Sequence, residues 1–329
     1  MTWPIVVITN VLRRSLMKKI AIMSVLLILA LCVSSTTLIA KERKKVPDIQ
    51  NQVKITNTST TQTGKTDKAI VGRIHMNNSP VPGKVHNTVT GNNYSSRAQG
   101  TNNKAFSGAI ILNRSQVASS IINKIEGNDF KSSAIGQHNR AAVGTVQLNN
   151  SNVAGKVRNR VVGNSFISTA KGTSNRTQSG AVTMNHSKIT GSVKNSIEGS
   201  NFKSQATGIN NLSDTGSIRT KRSISEGNIS NKVIGKDFTS IAIGENNQAS
   251  VASVQVNHSN VSGTTSNSVV GEKFSATAQG MENSANIGSV SINHTNIEGK
   301  ISNTASGSHV TSSATSQFGR ASVGSIELE

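Results

Sequence analysis

Apolar and polar residues alternate along most of this chain with a period of two. Between Val146 and Gly172 one set of alternate positions carries Val146, Leu148, Val153, Gly155, Val157, Asn159, Val161, Gly163, Phe166, Ser168, Ala170 and Gly172. Between them fall Gln147, Asn152, Lys156, Arg158, Arg160 and Lys171. A period of two is the strand signature, so the pattern predicts short strands with one small, apolar face and one polar face. The corners are marked by "NNS", "GNS" and "GTSN", where Asn and Gly tolerate the positive backbone dihedrals that a tight turn needs. No segment after the N-terminal apolar run carries a helical stripe.

The same phrase returns every 36 residues without a gap, in copies that start at Asp67, Asn103, Asn139, Asn175, Asn211, Asn247 and Asn283, with a partial eighth from Gly319 to Glu329. An aromatic column runs through Tyr94, Phe130, Phe166, Phe202, Phe238 and Phe274 and ends in Val310. Asparagine recurs at Asn87, Asn123, Asn159, Asn195, Asn231, Asn267 and Asn303, and glycine at Gly91, Gly127, Gly163, Gly199, Gly235, Gly271 and Gly307. Alanine recurs at Ala98, Ala134, Ala170, Ala206, Ala242, Ala278 and Ala314. Repetition at such a period is the mark of a solenoid. The predicted fold is all-β: a β-solenoid or cross-β stack of seven 36-residue rungs plus a partial eighth, each rung made of three or four short strands.

Stacked rungs lie about 4.8 Å apart, so equivalent residues sit over one another. An inward Asn can then donate to the amide above and accept from the one below, which satisfies a buried polar group. The glycine and alanine columns allow close approach, and each rung carries one large aromatic anchor. Lys68, Lys104, Arg140 and Arg176 share a basic column. Placed on the outside, like charges one rung apart repel by roughly 1 kcal/mol per pair in water. Anionic ligands would relieve that repulsion. The fifth copy, "TKRSISEGNI" from Thr220 to Ile229, departs from the pattern. Thr220 and Ser225 stand where other copies have aliphatic residues, and Ile224 is displaced by one position, toward the wrong face unless the strand slips or bulges.

Composition fits a thin, repetitive object: aromatics are 3%, charged residues 15%, and Gly, Ser, Asn and Thr are abundant. The N-terminus reads as a targeting segment. Lys18 and Lys19 precede the apolar "IAIMSVLLILALCV", and small residues follow in "SSTTLIAKE". The expected organisation is an upstream extension of the reading frame over 1–16 and a signal peptide over 17–40. A polar segment over 41–66 follows, serving as a linker or as a recognition segment for secretion or nucleation, and then the repeat domain over 67–329. Secretion to the cell surface is the implied localisation. The one cysteine, Cys32, lies in the apolar run, so the remainder would hold together without disulfides or thiolate metal sites. Of 35 Lys and Arg, four precede residue 41, leaving 31 against 15 acids and a balance of +16. That excess favours anionic partners such as extracellular DNA, lipopolysaccharide or acidic polysaccharide. His186, His258 and His294 share a column that Arg222 interrupts, which predicts a solvated corner. No nucleophile, base and orienting group recur together and paired carboxylates are missing, so neither enzymatic activity nor a cofactor or metal is expected.

The phrases "AIGQHNRAAVG" (Ala134 to Gly144) and "AKGTSNRTQSG" (Ala170 to Gly180) resemble the Gly-x-x-Asn-x-Ala core of curlin repeats and the Ala-x-Gly-x-x-Asn unit of Fap-type biofilm fibres. The matching positions are Gly100 and Asn103; Gly136, Asn139 and Ala141; Gly172 and Asn175; Gly208 and Asn211; Gly244, Asn247 and Ala249; and Gly280, Asn283 and Ala285. Curlin repeats are shorter and carry Gln where this chain has Ala or Gly, and Fap-type repeats are separated by linkers that are absent here. The resemblance implies a secreted subunit of bacterial functional-amyloid fibres in the biofilm matrix. Such a subunit would assemble with itself head to tail, served by a nucleator and an outer-membrane secretion pore. The partial rung at "ASVGSIELE" would pair with the rung near Asp67 of another molecule. The other reading is a monomeric β-solenoid adhesin that binds anionic polymers.

Overall fold

The computed structural model describes residues 48–54, 56–57, 59–65 and 68–328. The expected upstream extension, signal peptide, Cys32 and the segment 41–47 lie outside them. The described chain is a β-solenoid in which every strand pair is parallel and every register step is 36 residues, from Val85↔Ile121 to Thr265↔Ile301.

One turn contains five strand segments, more than the three or four expected. Val85–Thr90 and Tyr94–Thr101 both belong to a twelve-stranded base sheet. Lys104–Ser107 belongs to a second sheet of eight strands, Ile110–Asn113 to a third of eight, and Gln116–Val117 to a fourth of seven. From the fourth copy on, the two base-sheet segments run together as one 17-residue strand, as in Val193–Ile209.

The stack begins earlier than the expected boundary at residue 67. Ile49–Lys54 pairs with Val85–Thr90, and Ser59–Lys65 pairs with the strand that contains Ser95. Ile49, Asn51 and Val53 occupy the columns of Val85, Asn87 and Val89. The second of these strands, "STTQTGK", is uniformly polar, which hides the period. Within the polar segment, Ile49–Lys54 and Ser59–Lys65 are therefore strands of the solenoid and not linker.

The interior has two apolar compartments. One is built from Ile110 and Leu112 of the third sheet, Val117 of the fourth and Val85 and Ile121 of the base sheet. The other holds Val89, Ile125 and the aromatic column. Between the second and third sheets the chain turns at Gly108, Gly144, Gly180 and Gly216 with φ from 61 to 65°. A Cβ on Gly108 would stand 2.6 Å from Ile125 Cδ1, so here the backbone dips against the base sheet and pinches the interior in two. Asn87, at 0% exposure, lies between Val85 of one compartment and Val89 of the other.

Candidate functional site: ladders and a basic cleft

Three hydrogen-bonded ladders run the length of the stack. In the first, Nδ2 of Asn51, Asn87, Asn123, Asn159, Asn195, Asn231 and Asn267 each donates to Oδ1 of the asparagine one turn on, at 2.7 to 3.1 Å. Asn303 closes it by donating to the Ser325 carbonyl at 3.0 Å. The second ladder uses the Asn of the Gly-x-x-Asn phrase. The backbone N–H of Asn139 donates to Oδ1 of Asn175 at 2.9 Å, and Nδ2 of Asn139 donates to the Gly100 carbonyl at 2.7 Å. The same pair of bonds recurs at Asn175, Asn211 and Asn247. The third is a serine ladder at the "NNS" corners, in which the N–H of Ser115 donates to Ser151 Oγ at 3.2 Å, and so on through Ser187 and Ser223.

The aromatic column forms a continuous stack, with ring centroids 4.9 to 5.2 Å apart from Tyr94 to Phe274. Burial pushes the Tyr94 hydroxyl up to about 12. Val310, next in the column, is exposed. The glycine column is obligatory: a Cβ on Gly163 would lie 1.4 Å from the Gly127 carbonyl oxygen. His258 and His294 stack at 5.0 Å and are exposed. They stand at a left-handed turn position (φ 46°) that Asn78, Arg114, Asn150, His186 and Arg222 also occupy.

The fifth copy keeps its register, with Ile189 paired to Ser225 and Lys188 to Ile224, and no bulge forms. Parallel pairing on both sides of the strand outweighs the misplaced side chains. Ile224 is left exposed at 43%, and the buried Thr220 hydroxyl has no hydrogen-bond partner.

The basic column is where expectation and structure part most. It does not lie on an outer flat face. The pinch at the Gly108 column brings the second and third sheets together at an angle, so their outward faces enclose a cleft. Phe106 and Ile111, from facing sheets, are both buried there and share a small cluster. Gln147, assigned above to a polar face, is 0% exposed and donates through Nε2 to Gln178 Oε1 at 2.9 Å. Lys68 and Lys104 are exposed at the cleft and Arg140 is half-buried within it, and Arg176, paired with Arg140 one turn on, is half-buried as well. Arg73 reaches over the Phe106 ring at 5.4 Å.

These cations have few counter-charges. Arg176 Nη2 donates to Thr183 Oγ1 at 3.0 Å, and the Nε atoms of Arg140 and Arg176 have no partner. Asp214 is the one buried acid of this region and is bound by Arg219 at 3.0 Å, with its Oδ2 left unpartnered. Desolvation by the cleft walls, then repulsion from Arg176, brings the Arg140 guanidinium down to about 9. Arg176 falls to about 10 through desolvation and Arg219, with Asp214 opposing. Lys104 and His75 are lowered too, first by desolvation and then by neighbouring cations. The cleft is thus a row of poorly solvated positive charges with spare donors. Strand alternation assumes that the outward face meets water, which is why it missed the cleft. The glycine column at the second-to-third-sheet turn was the signal that could have found it.

No protein-family model, curated protein or solved structure matches this chain.

Proposed function

We propose that this protein is a secreted structural subunit that assembles with itself, end to end, into extracellular fibres. The observation that carries the reading is the self-likeness of the stack. Each turn offers the next the same columns of Asn amides, aromatic rings and backbone groups, in register at every step. A turn of one molecule can therefore receive a turn of another with the bonds already used inside the chain. In a parallel stack of this kind each added edge is a template for the next.

The test is a thioflavin fluorescence time course on the full chain diluted from denaturant, with and without preformed product as seed. Templated growth gives a lag that seeds abolish. Prompt refolding to a soluble, β-rich monomer that never binds the dye overturns the proposal. A second reading, a monomeric surface adhesin for anionic polymers, is favoured by the row of cleft cations, of which Arg140 and Arg176 have no acidic partner in contact.

A further inference from the structure

The cleft cations are spaced by the fold itself. Lys68, Lys104, Arg140 and Arg176 succeed one another in a single register column, so their Cα atoms advance by about 4.8 Å per turn. Arg73 adds a fifth positive charge beside the first two. Across these turns the cleft holds one buried acid, Asp214, already taken by Arg219. Burying a charge without a partner is unfavourable, and the Nε atoms of Arg140 and Arg176 sit in that condition, closed to water and unbonded. The walls are strands fixed on both sides by parallel pairing, so the row cannot collapse or splay to solvate itself.

The shape and chemistry select among anions. A guanidinium fork matches a carboxylate or sulfate with two parallel hydrogen bonds. A linear polymer of acidic sugars carries such groups along its whole length, as the cleft carries its cations. Nucleic acid fits less well. Its bases need aromatic platforms, and the cleft's aromatic side chain, Phe106, is buried and capped by Arg73. Along a duplex the phosphates of one strand advance by about 3.4 Å, out of step with the rungs. We propose that the cleft lined by Lys68, Arg73, Lys104 and Arg140, with Arg176 one register step beyond, binds one strand of an acidic polysaccharide lying along the solenoid axis. The site is complete within one molecule, so the inference holds whether or not the chain polymerises.

The test measures binding of polygalacturonate, dextran and single-stranded DNA to freshly dissolved full-length monomer at fixed, low salt. The pair Arg140→Gln and Arg176→Gln is compared with a matched charge loss, Lys194→Gln and Lys203→Gln, at two exposed positions of the base sheet. Each lost charge-assisted bond is worth roughly 1.5 kcal/mol or more, which is about tenfold in affinity. The cleft pair should therefore weaken polygalacturonate binding at least about tenfold, and the base-sheet pair by much less. A melting midpoint of the cleft pair no lower than that of wild type, read by circular dichroism, shows that its loss of binding is not a loss of fold. Dextran should not bind. Equal losses from the two pairs would reduce the effect to net charge and overturn the assignment. Failure of wild type to bind polygalacturonate, or tighter binding of DNA that depends on Arg140 and Arg176, would overturn it as well.

Discussion

Replacing Asn159 by alanine isolates the contribution of one ladder step. Its Oδ1 accepts from Asn123 Nδ2 at 2.8 Å, and its Nδ2 donates to Asn195 Oδ1 at 3.0 Å. The side chain is 1% exposed, and those of Asn123 and Asn195 are 0% exposed. Asn159→Ala therefore orphans a donor above and an acceptor below in a seam closed to water. Each orphan costs about 1–3 kcal/mol, so the expected loss is about 2–5 kcal/mol once partial relaxation is allowed. Asn303→Ala is the control. It receives one bond at 3.1 Å and gives one to Ser325, but it is half-buried. Water can replace its partners, and the expected loss is about 1 kcal/mol. Denaturant unfolding followed by circular dichroism, with midpoint and slope fitted together, measures both. Asn159→Asp keeps the acceptor but loses the donor and buries a charge, so at neutral pH it should cost at least as much as alanine. Loss at Asn159 no greater than at Asn303, or below about 1 kcal/mol, would refute the ladder as a source of stability.

Phe202 lies between Phe166 and Phe238 at 5.0 and 4.9 Å, so Phe202→Ala should destabilise the stack by about 3–5 kcal/mol, read from the same unfolding curves. In the fifth copy, Thr220→Leu and Ser225→Val restore the aliphatic columns of Met184 and Ile189. Together they should stabilise by about 1–3 kcal/mol, seen as a higher melting midpoint and slower proteolysis between Lys221 and Glu226. Arg140→Leu should stabilise the unliganded protein. A guanidinium held at about 9 against an ordinary 12.5 sets a ceiling near 5 kcal/mol, at about 1.4 kcal/mol per pH unit, and water reaching the exposed part of the side chain lowers the expectation to ~1–2 kcal/mol. Because the folded value lies below the unfolded one, the penalty is present in full wherever the guanidinium is charged in both states, which includes the whole range around neutral pH. The advantage of the leucine variant should therefore be the same at about pH 6 and pH 8 in thermal melts, and a variant no more stable than wild type would contradict the assignment.

Much of this fold is legible in the sequence because stacking turns chemistry into periodicity. The Asn87 and Phe130 columns must repeat at each step, since a ladder or a ring stack works only when its members coincide, and so the 36-residue period, the rung and the buried amides can all be read from letters. What escaped has a physical reason in each case. Ile49–Lys54 and Ser59–Lys65 join the stack through backbone pairing while carrying mostly polar side chains, so composition gave no edge to the domain. Phe106, Gln147 and Arg140 point away from the interior yet are wholly or partly covered, because a left-handed turn at Gly108 and its equivalents folds two sheets toward each other. Alternation tells which face a residue takes, but whether that face meets water depends on the bend. Ala252 holds the same turn with φ 55°, so even the glycine signal has a gap.

Self-templated stacking is tested most directly by cryo-electron microscopy of the protein after prolonged incubation at neutral pH. Filaments are predicted in which parallel rungs about 4.8 Å apart run without a break from one molecule to the next, with an asparagine ladder crossing each junction. Only discrete monomers, or filaments joined side by side through other surfaces, would contradict it.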